Sequence, residues 1–383
     1  MRQDVDTPAV RASVDTLVIG ASAAGLATAA CLVRAGQKFE ILEATGVVGV
    51  AWRGHYERLH LHTPKSASAL PGLAMPDAWP KYPARDQVVE YIESYRVRHG
   101  LMPHYGQRVL RLERYGDRWQ AVTAECAWQA RNVVVATGAA RQPVRPTWPG
   151  SGTFRGPIVH SSEYDNGLRW KGASVLVVGF GNSACEIAID LADSGAFPHL
   201  AVRSAVNVVP RDVLGIVPVL QVGTLMRHLP LSVADALAGP IVRLGVGDIR
   251  KAGLRKLPYG PNTQIARDGR IPVLDIGAMQ RIRSGHIAVH GDIDRFTASS
   301  VVFKDGSALV VDGVVMATGY RPALDEFLIE WRQVCDDKGT PLVSGVPTAL
   351  PGLYFCGQFI SPAGMLREIG SEARRIASHI AAA

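Results

Sequence analysis

The stretch Thr16-Leu17-Val18-Ile19-Gly20-Ala21-Ser22-Ala23-Ala24-Gly25 decides the fold. Its first four residues are apolar or β-branched and read as a buried strand. The glycine-bounded turn then feeds directly into an apolar-periodic run, Ala24 to Ala35, that reads as a helix. A second strand over Phe39 to Leu42 completes a β-α-β unit, so the chain begins by building a parallel sheet. A turn of this kind leaves backbone N–H groups exposed at a helix N-terminus. The helix dipole and the missing side chains suit that place to a pyrophosphate.

The same pattern returns at Val175-Leu176-Val177-Val178-Gly179-Phe180-Gly181-Asn182-Ser183-Ala184, with a helix from Ser183 to Ser194 and a strand over Leu200 to Val202. Two such turns imply two dinucleotides. Gly20, Ser22, Ala24 and Gly25 line the first, and Gly179, Gly181, Asn182 and Ser183 the second. Ser22 stands where the second turn has Gly181; its Cβ pushes the backbone away from a phosphate, while its hydroxyl can donate to one.

The residue ending the second strand sorts the nucleotides. Glu43 follows the first turn by roughly twenty residues, the place of the carboxylate that takes ribose hydroxyls. The matching place after the second turn holds Arg203-Ser204, with Arg211 further on, and a guanidinium there suits a 2′-phosphate. The first nucleotide is therefore expected to be FAD and the second NADPH.

The expected fold class is α/β, with two dinucleotide-binding (Rossmann-like) domains and the NADPH domain inserted in the FAD domain. Two strands, Val133 to Ala136 and Val314 to Ala317, both run into Thr-Gly, at Thr137-Gly138 and Thr318-Gly319. These paired ends read as the points where the chain leaves and re-enters the first domain. A Pro-rich link, Pro143 to Pro157, reads as a crossing, and a last strand, Leu353 to Cys356, leads into a C-terminal helix. The expected bounds are 1–165 and 292–383 for the FAD domain and 166–291 for the NADPH domain.

With 383 residues, 47% of them hydrophobic, the chain can bury the core of two ordinary domains. Its net charge of +7 is scattered singly and in pairs, which suits small anions rather than a nucleic-acid surface. Cys31, Cys126, Cys185, Cys335 and Cys356 form no CxxC pair, so neither a disulfide framework nor a zinc site is expected, and a cytoplasmic location is. Met1-Arg2-Gln3-Asp4 lacks a signal-peptide core, and the apolar stretch 213–246 is interrupted by charges and prolines. No metal is expected. His60 and His62 share an apolar-alternating stretch without a neighbouring carboxylate or cysteine, and read as solvent-facing or cofactor-contacting residues.

Phe154, Gly156, His160 and Tyr164 have the spacing FxGxxxHxxxY, which resembles the fingerprint of flavin-containing monooxygenases. Tyr164, where related Baeyer–Villiger enzymes usually carry Trp, tilts the chain away from those. The resemblance covers nearly the whole chain and is closest to the YUCCA-like branch, through Val177 to Ser183, Val202-Arg203-Ser204, Val208 to Arg211, Ile271 to Gly277, Ile282 to Gly285 and Ala317 to Arg321. It implies FAD, NADPH and oxygen. Hydride would pass to the flavin, oxygen would add to the reduced ring, and bound NADP⁺ would shelter the hydroperoxide. It also implies that Gly49, Trp52 and Arg53 lie against FAD, that His62, Thr137, Gly138, Thr318, Gly319 and Tyr320 contact cofactor, and that Gly357-Gln358 makes the last flavin contact. His160 would hold the hinge rather than act as acid or base. No acid–base residue is assigned, and Thr63 and Asn182 are the candidates near the chemistry.

The implied reaction inserts one oxygen atom into a small organic substrate, with oxidative decarboxylation of an aryl α-keto acid such as indole-3-pyruvate as the specific reading. The alternatives are N- or S-oxygenation of soft heteroatoms and a flavin/NADPH redox sensor; a disulfide reductase of the same architecture needs a paired redox cysteine motif, which this chain lacks. The expected partners are substrate and O2, with no nucleic acid and no membrane span, and a homodimer is left open.

Overall fold

The computed structural model describes residues 8–213, 215, 217–226, 229–359, 361 and 364–383, with backbone alone at 221 and 223–225. Met1 to Asp4 and four positions of the apolar stretch, Leu214, Ile216, Arg227 and His228, lie outside the described residues. The chain forms two compact units. One comprises Met1–Arg53, Pro64–Gln142 and Tyr320–Ala383; the other comprises Gly54–Thr63 and Pro143–Gly319.

In the first unit, strands Phe39–Leu42, Val10–Ile19 and Ala127–Val135 pair in parallel, and Leu353–Phe355 pairs in parallel with Val133, Val134 and Val135 on the edge opposite Val10–Ile19. Arg118–Val122 and Arg111–Tyr115 extend the sheet antiparallel. The helix Ala23–Arg34 is rich in alanine, and ten of its residues are buried. Such small side chains let the C-terminal helix Met365–Ala382 pack close, through Leu366, Ile369, Gly370, Ala373, Ile376, Ala377 and Ile380 at helical spacing.

In the second unit, five parallel strands lie in the order Ala288–His290, Phe197–Ala201, Ser174–Val178, Gly313–Met316, Ile158–His160. A three-stranded antiparallel ribbon, Ile293–Phe296, Ser300–Phe303 and Ala308–Val310, follows the edge strand in sequence. The units part at 142/143 and 319/320, just beyond the two Ala-Thr-Gly ends. The expected bounds 165/166 and 291/292 fall instead between strands of the second unit, because Ile158–His160 and Gly313–Met316 hydrogen-bond to each other and onward to Ser174–Val178. The short excursion Gly54–Thr63 also belongs to this unit, and nothing in its local pattern announces it.

Candidate functional site: two nucleotide cradles

Both glycine turns are built on the same steric device. Gly20 has φ +105°, and a Cβ there would lie 2.7 Å from the Ala136 carbonyl oxygen. Gly179 has φ +124°, and a Cβ there would lie 2.6 Å from that of Ala317. Each turn is therefore wedged against the alanine of one Ala-Thr-Gly end, whose glycine (Gly138, φ +80°; Gly319, φ +86°) is itself left-handed. The repeated motif thus braces the turn on the neighbouring strand.

In the first unit, Glu43 is buried, and its carboxylate accepts from Ala21 N (2.8 Å), Thr45 N (2.9 Å) and Thr45 Oγ1 (2.8 Å). It holds the turn from below and keeps acceptor capacity for a ribose hydroxyl. Gly49 (φ +68°) donates its N–H to Ala21 O, which brings the Val50–Arg53 helical turn, with Trp52 and Arg53, beside the cradle. Arg53 Nε donates to Val48 O. Gly357 packs on Ala24, so close that a Cβ would lie 3.0 Å from that of Ala24. Gly25 admits no side chain, since a Cβ would fall 1.8 Å from Gly20 O. Ser22 is the helix N-cap, and its side chain makes no capping bond. The four segments expected to meet FAD, around Gly20, Glu43, Gly49 and Gly357, and the cofactor-contacting Thr137-Gly138 all belong to this unit. Two buried polar groups here lack protein partners: Thr137 Oγ1 and both amide atoms of Gln358, which is 2% exposed. Orphaned donors and acceptors beside an open glycine turn fit a flavin dinucleotide.

In the second unit, Gly181 is the helix N-cap with extended backbone, and a Cβ there would meet no atom within 4 Å. That open space is the room a pyrophosphate needs. Asn182 Oδ1 accepts from Leu274 N at 2.9 Å, tying the helix start to the Val273–Asp275 strand, and Ser183 follows it half-buried. Arg203 and Ser204 are exposed just beyond the Phe197–Ala201 strand. Arg211 is half-buried and pairs with Asp212 at 3.3 Å.

The fingerprint residues act as fasteners of this unit. Ser162 N donates to His160 Nδ1 at 3.1 Å, so the proton sits on Nε2, which donates to Gly319 O at 3.1 Å. The same carbonyl accepts from Val144 N, so Gly319 O joins the imidazole and the Val144 backbone at one point. Burial above all, with Arg145 nearby, lowers the His160 pKa below its ordinary 6.5, against the opposing bond to Gly319. A Cβ on Gly156 would lie 2.3 Å from Asp312 O, and Phe154 packs edge-on against Phe296. Tyr164 is buried, and its hydroxyl donates to Asp190 Oδ2 at 2.7 Å.

Asp190 belongs to a row on the helix Asn182–Asp193 that sequence reading missed. Glu186, Asp190 and Asp193 share one face and engage His62 Nε2 (2.8 Å), Tyr164 and Arg58 Nη1 (2.9 Å) respectively. Arg281 also donates to Asp193 at 2.6 Å. His62 thus meets a buried carboxylate, while His60 is exposed and bonds the Arg58 carbonyl. Thr63 is buried at the end of the excursion. Thr318 Oγ1 donates to Val144 O, and Tyr320 opens the return to the first unit.

A second missed residue is Glu372 on the C-terminal helix. It is 2% exposed and accepts from Gly357 N at 2.6 Å, fixing the loop that carries Gln358. Burial raises its pKa, opposed by the Gly357 N–H and by Ser344. All five cysteines are free and buried. Burial raises the thiol pKa of Cys31, of Cys335 to about 12, and of Cys185 and Cys356 further still, the opposite of what a redox thiolate requires. Among the described residues no helix is long and apolar enough to cross a membrane.

A profile of the flavin-binding monooxygenase-like family matches residues 14–339. The probable indole-3-pyruvate monooxygenase YUCCA3 of Arabidopsis thaliana is 36% identical over 85% of this chain and 77% of its own length. The indole-3-pyruvate monooxygenase YUCCA8 of Oryza sativa subsp. japonica is 34% identical over 95% of this chain and 90% of its own. A mutant of the flavin monooxygenase from Stenotrophomonas maltophilia superposes with a TM-score of 0.74 at 25% identity, covering 97% of this chain and 98% of that one. With the two braced cradles, these likenesses make the chain a member of the flavin-binding monooxygenase-like family, an enzyme that uses FAD and NADPH.

Proposed function

We propose that this enzyme carries out oxidative decarboxylation of an aryl α-keto acid of the indole-3-pyruvate kind, with FAD held by the first unit and NADPH by the second. The observation that carries the substrate reading is the 34% identity shared with an indole-3-pyruvate monooxygenase over 95% of this chain. In such enzymes reduced flavin activates O2 and the cofactor supplies the chemistry.

The chain's own residues bind and orient. The amides of the Gly20 turn receive the flavin pyrophosphate, Glu43 the adenosine ribose, and the Gln358 amide and Thr137 hydroxyl find their missing partners on the flavin side. The amides after Gly181 receive the NADPH pyrophosphate, and Arg203 reads its 2′-phosphate. Ser22, Ala24, Gly49, Trp52 and Arg53 complete the flavin set. Thr63, His62 and Asn182 act by position, since Asn182 Oδ1 and His62 Nε2 are already engaged by protein. The enzyme works in the cytoplasm, and its oligomeric form is tested by light scattering.

Indole-3-pyruvate, phenylpyruvate, a tertiary amine and a thioether, supplied in parallel with NADPH and O2, decide the reaction. Carbon dioxide and the acid one carbon shorter are expected from the keto acids. Oxygenated amine or thioether with inert keto acids would overturn the substrate reading and leave the cofactor assignment intact.

A further inference from the structure

The backbone brings a second arginine to the end of the Phe197–Ala201 strand. Val206 N donates to Arg255 O (2.8 Å) and Leu257 N to Val206 O (3.2 Å), so residues 255–257 run parallel beside 205–207 with Lys256 opposite Val206. This zipper fixes the Arg255 backbone, and its guanidinium Nη2 donates to the Arg203 carbonyl. Arg203 and Arg255 are both exposed, and among the described residues neither forms an ion pair with a carboxylate. Arg211 and Arg250, the other arginines of these segments, are paired with Asp212 and Asp248. An arginine side chain tied to the Arg203 backbone, beside a second exposed arginine and without a carboxylate counter-ion, where the second strand of a dinucleotide unit ends, calls for an anion at the ribose.

We infer that Arg255 is a specificity-determining residue that shares the 2′-phosphate of NADPH with Arg203. The bond to the Arg203 carbonyl uses one of the five guanidinium N–H donors, leaving the others for phosphate oxygens. The phosphate carries close to two negative charges, enough to compensate both side chains. This inference rests on the reading that the second unit holds NADPH.

The test uses the full-length, flavin-loaded protein and titration calorimetry with 2′,5′-ADP and 5′-AMP, which differ only in the 2′-phosphate. Wild type binds 2′,5′-ADP more tightly. Arg255→Ala weakens 2′,5′-ADP by about 10- to 100-fold, the scale of a charge-assisted bond, and leaves 5′-AMP unchanged. Arg255→Lys, which keeps the charge and loses the fork, falls between. Arg203→Ala with Arg255→Ala loses less than the product of the single losses, because both act on one phosphate. Flavin content shows that each variant is folded; if Arg255→Ala loses flavin, the Arg255→Lys value decides, and equality with wild type on 2′,5′-ADP overturns the inference. Equal losses for both ligands, or none for either, overturn it too. If Arg203→Ala loses discrimination while Arg255→Ala keeps it, only the role of Arg255 falls. If wild type itself fails to distinguish the ligands, the NADPH assignment falls with it.

Discussion

An added Cβ would strike a carbonyl oxygen at 2.7 Å in the first turn and 2.6 Å in the second, each time on the alanine of an Ala-Thr-Gly end. The scaffolds are interchangeable to that degree, and their outfits are not. The first turn carries Ser22, Gly25 and the buried carboxylate of Glu43, which takes three hydrogen bonds from its own unit. The second carries Gly181, Ala184 and two exposed arginines without a carboxylate. A carboxylate repels a 2′-phosphate and a guanidinium attracts it, so on the proposed assignment the strand end selects the dinucleotide and the turn provides the pyrophosphate seat.

The largest effect expected from breaking this comparison is at Gly20. Gly20→Val forces a side chain into Ala136 O and a β-branched residue into left-handed backbone, and flavin absorbance of the purified protein should vanish. Retention of full flavin would show that the first turn is not its seat. Next comes Arg203→Ala, which should weaken NADPH by about 1.5–3 kcal/mol and leave NADH nearly unchanged, read as Kd for each coenzyme. Glu372→Leu leaves the Gly357 N–H without its buried acceptor, and should lower stability by about 1–3 kcal/mol in thermal melts, while Glu372→Gln recovers most of it. A loss of equal size in both variants would mean that charge, not the bond, matters there.

The smallest expected effect is a pH dependence. The His160 pKa is depressed in the folded state, so the native ring is neutral. Its contribution to stability is present above about 6.5 and is lost as pH falls through the folded value. Protonation places a proton on Nδ1 against the Ser162 N–H and breaks that bond, while the bond from Nε2 to Gly319 O is kept. Melting temperature should fall on acidification below pH ~6.5, and His160→Asn should flatten that slope. An unchanged slope would assign the acid sensitivity to other histidines such as the half-buried His199 and His290, whose pKa values burial also lowers.

What the sequence made legible follows from how local each signal is. Both β-α-β units, their helices and the last strand are encoded by short-range periodicity and glycine placement. Their helices and the last strand stand within one residue of the expected bounds, while the opening strand begins six residues earlier, at Val10, and Phe197–Ala201 begins three residues earlier than expected. The unit bounds are less legible because strand ownership depends on pairing partners: Ile158 lies beside Val314, a neighbour no local pattern announces. The same limit hid the row Glu186, Asp190 and Asp193, which looks like an ordinary polar helix face until His62, Tyr164 and Arg58 arrive from elsewhere in the chain. Glu372 and Arg255 escaped for that reason as well. A signal existed for one of them: Glu372 lies at the buried spacing of Ile369, Ala373 and Ile376, and a carboxylate there must have a partner.

The division of labour between the two units is tested most directly by anaerobic reduction of Gly179→Val. In this variant the clash with Ala317 O closes the second pyrophosphate seat and leaves the first untouched. The protein should remain fully yellow and bleach with dithionite, yet bleach with NADPH at least a hundredfold more slowly than wild type, the cost of about 3 kcal/mol in lost phosphate contacts. Loss of flavin from this variant, or bleaching by NADPH at the wild-type rate, would contradict the assignment of FAD to the first unit and NADPH to the second.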